Sequence, residues 1–195
     1  MCPVYIIFAG INGAGKTTLF KSDLWKTEAI PKAVYRVNPD EIIKARKFDA
    51  NEKQDQLRAG KIAVRMINAY FKNNNSFTHE TVFAGKTSLK RIYEAKRHGF
   101  KVILYYVGLK DHGLALQRIA HRVSLGGHNI EDDLVMKRWD SSLENLRQAT
   151  EFCDEIHVFD NTELLKEIAI WNKGTLCWWG ATKTRGGWLP QAMLH

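Results

Sequence analysis

Cysteine is scarce in this chain of 195 residues: Cys2, Cys153 and Cys177 are an odd, scattered set with no C-x-x-C pair. That excludes a disulfide framework and offers no zinc-binding pattern, so a reducing cytoplasm is the expected location. No apolar run approaches the about 20 residues needed to span a bilayer, and no membrane partner is expected. The apolar N-terminus, MCPVYIIFAGING, lacks the basic leader of a signal peptide and reads as a strand. Low-complexity stretches and long linkers are missing as well, which points to one domain over residues 1–170. The remaining stretch, 171–195, reads as a tail and not as a separate domain. It contains no acidic residue yet holds four of the six tryptophans, which suits a cap on the domain edge or a partner surface.

What is present is an ordinary globular balance, with 45% hydrophobic and 26% charged residues. The net charge is +8, from 29 Lys and Arg against 21 Asp and Glu. Such an excess serves a polyanionic small substrate as well as nucleic acid. The basic residues are spread along the chain and form no tail or block, so nucleic acid is the lesser expectation.

Apolar, β-rich runs alternate with helical patterns, the signature of an α/β fold with parallel strands joined by crossover helices. The expected strands are VYIIFA (4–9), AVYRV (33–37), SFTHE (76–80), KVILYYVGL (101–109) and EIHVFD (155–160). Helices are expected from Lys16, after Asp40, over IAVRMINAYFKNN, over TSLKRIYEAKRHG, over LALQRIAHRVSLGG and over DDLVMKRWDSSLENLRQATEF. Strands that are apolar on both faces predict a sheet covered on both sides, with ligands beyond the strands' carboxyl ends.

GINGAGKT, residues 10–17, follows the first strand and opens a helix with the spacing G-x-x-x-x-G-K-[ST]. Gly10, Gly13 and Gly15 permit positive φ and turn successive N–H groups onto phosphates. Lys16 can reach the β- and γ-phosphates, and the Thr17 hydroxyl can ligate Mg²⁺. The expected ATP-binding set is Gly10, Asn12, Gly13, Ala14, Gly15, Lys16, Thr17 and Thr18. A second AGKT at 84–87 has Glu80 where the loop needs glycine, and reads as a helix start.

No central strand ends cleanly in the aspartate with which motor and switch proteins hold their metal. Weight therefore shifts to phosphoryl transfer onto a small acceptor, which needs a group to take or align the acceptor's proton and cations to offset phosphoryl charge. Asp40, in VNPDE after the second strand, is the candidate for the first role; capping the helix EIIKAR is its alternative. Glu80 could fix acceptor hydroxyls or orient the metal, or else cap the next helix or sit on the surface. Thr81 is its neighbour on the acceptor side. Arg118 and Arg122 share one helix face, Arg138 lies on the next helix, and Gly126-Gly127 joins the two. The pair resembles a lid over a triphosphate, with a solvated helical hairpin as the alternative. His79 and His128 read more readily as hydrogen-bonded structural residues than as catalysts.

In this order AGINGAGKTTL, VNPDEI, HETVFAG, R-x-x-x-R-V-x-x-GGHNI and VFDN resemble the zeta-toxin-like P-loop kinases, over roughly residues 4–161. The resemblance implies a parallel five-stranded sheet with a helical, arginine-bearing lid, and transfer of the ATP γ-phosphoryl group to a hydroxyl. It implies ATP and Mg²⁺ as cofactors, a nucleotide sugar such as UDP-N-acetylglucosamine as acceptor, and an antitoxin protein as partner. It makes Lys16, Asp40, Arg122 and Arg138 the catalytic set, with Asp40 as the base. Asp40, Glu80 and Thr81 become the substrate-binding set and Thr17 the metal ligand, with Arg118 the fallback for Arg122. Three departures stand out: Ile11 replaces a usual proline, His79 a usual aromatic, and Glu131 a usual proline after the GGH segment. The rival readings are a polynucleotide kinase or other nucleic-acid-acting ATPase, and a non-catalytic, ATP-gated interaction module.

Overall fold

A computed structural model describes residues 2–27, 30, 31, 34–127, 129–180, 182, 186–190 and 193. His128 and Ala33, the first residue of the expected second strand, lie outside the described residues. The elements follow in the order β1 (Val4–Ala9), α1 (Lys16–Lys21), β2 (Tyr35–Val37), α2 (Pro39–Arg46), α3 (Lys53–Lys72), β3 (Phe77–Thr81) and α4 (Lys86–Arg97). After them come β4 (Lys101–Gly108), α5 (His112–Ser124), α6 (Asp132–Ala149), β5 (Glu155–Asp160), β6 (Lys166–Asn172) and β7 (Thr175–Trp179). The second AGKT does start a helix, α4, with Gly85 as its N-cap.

The strands form one sheet in the order β2-β3-β1-β4-β5-β6-β7. The first five are mutually parallel, as their short apolar runs predict. The expectation of a five-stranded, wholly parallel sheet is corrected here: the sheet has seven strands and is mixed, because β6 and β7 add an antiparallel hairpin beside β5. Its turn has Lys173 at φ 47° and Gly174 at φ 82°, the two positive φ values that a tight hairpin turn demands. β6 crosses residue 170, so the sheet continues past Trp171.

β1 shows how the sequence builds the core. All six of its residues are buried. Tyr5, Ile7 and Ala9 join a cluster with Ile67 of α3, Ile92 of α4 and Leu146 of α6. Val4, Ile6 and Phe8 join the opposite cluster with Leu19 of α1 and Ile119 of α5. A period of two thus feeds two helical layers from one strand. β1 connects onward to β2 on one side and its neighbour β4 to β5 on the other, so the connections from their carboxyl ends run in opposite directions. A crevice opens at such a point, and the phosphate loop falls in it.

Candidate functional site

The loop after β1 curls because Gly10, Gly13 and Gly15 take φ values of 135°, 80° and 102°. At Gly15 the demand is also steric: a Cβ there would lie 2.2 Å from the Asn161 amide nitrogen. That amide donates to the Ala14 carbonyl at 2.8 Å and so ties the loop to the end of β5. Asn12 accepts a 2.9 Å bond from Arg138 Nη1. Thr17 and Thr18, at the start of α1, are exposed on its first turn.

Lys16 is buried, and its Nζ donates to the Ile11 carbonyl at 3.0 Å. Burial lowers its pKa first of all; Glu80 and Asp40 act to raise it, and Arg122 and Arg138 to lower it further. These four charges come from four separate stretches of chain, and all of them bear on this one ammonium. With the phosphate loop they line a cleft of about 760 Å³.

The loop before α2 decides the helix-cap question raised by VNPDE. Asn38, with extended backbone, is the N-cap: its Oδ1 accepts the Asp40 N–H at 2.9 Å, and Pro39 occupies the first helical position. The Asp40 carboxylate is therefore not the cap, and Asp40 lines the cleft.

Glu80 is neither a helix cap nor a surface charge. It is 8% exposed, at the carboxyl end of β3. Its Oε1 accepts from the Thr17 hydroxyl at 2.8 Å, and its Oε2 from Arg36 Nη2 at 2.9 Å and Asn38 Nδ2 at 3.0 Å. Arg36 lies 3.5 Å from the centre of the Phe20 ring and also bonds Glu41 at 2.7 Å. A carboxylate beside the loop threonine is where a phosphate-bound metal would meet the protein. Hydroxyl and carboxylate oxygens are hard donors that suit Mg²⁺, which commonly takes one or two protein ligands and completes its shell with phosphates and water. Among the described residues no group of three or more His, Cys, Asp or Glu forms a metal cage.

Thr81 also lines the cleft, and its Oγ1 accepts the Phe83 N–H at 3.1 Å. Phe83 is buried at φ 62°, an uncommon backbone for an aromatic residue. The loop that forces it is tied down from α6: Ser142 donates to the Val82 carbonyl, and Asn145 donates to those of Phe83 and Gly85. His79 stacks on Tyr5 and shares a 2.9 Å hydrogen bond with its hydroxyl. Burial, helped by Arg91, pushes the His79 pKa down to about 4. The ring is neutral near pH 7.

The α5–α6 hairpin divides its arginines between tasks. Arg118 Nη2 donates to the carbonyls of Asn161 at 2.7 Å and Thr162 at 3.2 Å, at the end of β5. Arg122, one turn on, bears on Lys16. Gly127 closes over it: its N–H bonds the Arg122 carbonyl at 3.0 Å, and a Cβ would lie 2.7 Å from Arg122 Cγ. Arg36, Asn38, Asn161, Ser142 and Asn145 escape sequence reasoning as site supports. Only Asn38 had a local signal, because Asn-Pro before acidic residues is a helix-start pattern. Lys53 and Gln56 of α3 and Glu131 also line the cleft, and Lys53 Nζ lies 3.8 Å from Glu131 Oε1.

The zeta-toxin family model matches residues 1–183. An uncharacterised protein of Haemophilus influenzae is 32% identical over 136 residues, which is 69% of this chain and 91% of that protein. Among solved structures, a chain of the PezAT chromosomal toxin–antitoxin system of Streptococcus pneumoniae superposes with a TM-score of 0.61 at 17% identity, covering 84% of this chain and 70% of that one. A chain of the AvrRxo1-ORF1:AvrRxo1-ORF2 structure with ATP does so with a TM-score of 0.63 at 15% identity, covering 90% of this chain and 60% of that one. Likeness at such identities establishes the shared fold. The sequence match is what carries kinship, and by it the chain belongs to the zeta-toxin family.

Proposed function

We propose that the protein is an ATP-dependent phosphotransferase that moves the γ-phosphoryl group to a hydroxyl of a small molecule. Its family supports a kinase-type use of ATP. The observation that carries the finer reading is the convergence of Asp40, Glu80, Arg122 and Arg138 on the buried Lys16. In this reading Gly10, Asn12, Gly13, Ala14, Gly15, Thr17 and Thr18 surround the triphosphate, and Lys16 follows the charge of the transferred group. Arg122 and Arg138 offset that charge from the hairpin side. Asp40 takes the proton of the attacking hydroxyl, since its carboxylate is not engaged in capping α2. Thr17 and Glu80 would hold Mg²⁺, which would supply positive charge to offset that of the phosphates. Glu80 thus belongs on the metal side of the acceptor, and Thr81 beside the acceptor itself. The acceptor is a polyol such as the sugar of a nucleotide sugar, and UDP-N-acetylglucosamine is the first to try. Because the PezAT structure is described as a toxin–antitoxin system, an antitoxin is the protein partner to seek.

Incubating the protein with Mg-ATP and a metabolite extract should yield a species heavier by one phosphate, read by untargeted mass spectrometry. Lys16→Ala should remove it. Identical product spectra from the two proteins would sink the proposal.

A further inference from the structure

We propose that the C-terminal segment around Gly186 and Trp188 is a clamp on the nucleotide loop, with Trp188 a positioning residue for ATP. The inference rests on the reading of the loop as an ATP site. It starts from Asp160, the last residue of β5, which is 1% exposed. Both of its oxygens accept hydrogen bonds from within the chain. Oδ1 accepts the Thr162 N–H at 2.8 Å. Oδ2 accepts the Trp188 indole N–H at 2.7 Å and the Gly186 N–H at 3.1 Å. Hydrogen bonds of N–H groups to a carboxylate are among the strong ones, and the carboxylate here is buried.

The next residue is Asn161, whose side chain grips the Ala14 carbonyl and whose own carbonyl receives Arg118. Asp160 and Asn161 therefore form a rocker at the end of β5, with the C-terminal segment on one arm and the phosphate loop on the other. Trp188 also fixes the floor beneath it. Its indole covers Gly108, where a Cβ would sit 2.1 Å from the ring, and the Gly108 carbonyl accepts the Asn161 N–H at 2.9 Å. Leu189 and Met193 anchor the segment in the same core as Tyr106 and Leu146. The clamp lies beyond residue 183, where the family match ends.

The test uses the full chain and titrates ATP by calorimetry, well below the unfolding midpoint of each variant. Trp188→Phe keeps most of the ring and loses the indole N–H, and should weaken ATP binding about tenfold. Ile67→Ala thins the same core from α3, outside the C-terminal segment; it should lower the unfolding midpoint yet leave ATP affinity within about twofold of wild type. In an Asn161→Ala background, Trp188→Phe should add nothing further, because the route to the loop is already cut. Undiminished ATP binding by Trp188→Phe overturns the clamp. So does an equal loss from Ile67→Ala, which would mean general loosening, or a full additional loss in the Asn161→Ala background. A wild-type chain with no affinity for ATP would overturn the ATP-site reading and the clamp with it.

Discussion

At Asp40 the chemistry turns on which residue two positions earlier does the capping. Asn38 supplies the acceptor for the first turn of α2, and this releases a carboxylate that sequence patterns alone assign equally well to the cap. Asp40→Asn keeps the shape and removes the base. It should lower the rate of phosphorylated product formation about 10²–10⁴-fold while leaving ATP affinity, measured by calorimetry, nearly unchanged. Unchanged turnover would remove Asp40 from the mechanism. His79 gives a pH-dependent prediction. Its folded pKa is near 4, below the usual value of about 6.5 in an unfolded chain, so between these pH values the unfolded chain binds more protons. Stability from the neutral ring is present above pH 6.5 and is lost as pH falls toward 4. Unfolding free energies from urea titrations across that window should fall in wild type, by about 3 kcal/mol from this group, and more shallowly in His79→Phe. Equal slopes in the two proteins would refute the assignment. Neither result is legible in sequence, since both depend on partners far along the chain.

Elements, by contrast, were largely legible. Helix periodicity and strand composition locate six helices and five parallel strands, because those signals are local and each element buries a face that its own residues define. Contacts between elements are not local. Arg36 of β2 holds Glu80 of β3, which in turn holds Thr17 of α1; three elements far apart in sequence meet because β3 lies between β1 and β2. The side chains of Arg36 and Glu80 are 15% and 9% exposed. Arg36→Met should therefore cost about 3–5 kcal/mol in urea unfolding by stranding a buried carboxylate. Arg36→Met combined with Glu80→Gln should recover part of that loss; a purely additive pair would show that the two are not coupled. Between α5 and α6, Gly127→Ala would push its Cβ into Arg122. Product formation should fall by at least about tenfold with ATP affinity less affected, since a misplaced cation costs most in the transition state. Wild-type turnover in that variant would mean that Arg122 is not positioned by this turn.

Across the whole molecule the largest surprise is the hairpin at the end. Residues 171–179, which the sequence reads as an edge cap or a partner surface, join 166–170 as two more strands of the sheet, with Ile168, Ala169 and Trp171 buried in the core against β5. Trp171→Ala should cost about 3–5 kcal/mol in urea unfolding, as a core deletion and not a surface change. A value under about 1 kcal/mol would contradict this packing. The hairpin was hard to foresee because KEIAIWN carries only a short alternation and its turn, Lys173-Gly174, is a weaker signal than Asn-Gly. The sequence by itself determined the phosphate loop, the layered α/β class and the order of the motifs, because glycine spacing and apolar periodicity act within a few residues. Tertiary structure alone decided that Glu80 faces Thr17, that Asp40 is no cap, and that Trp188 reaches Asp160. Those facts come from strand order and from which buried polar group finds which partner, and local sequence does not encode either one.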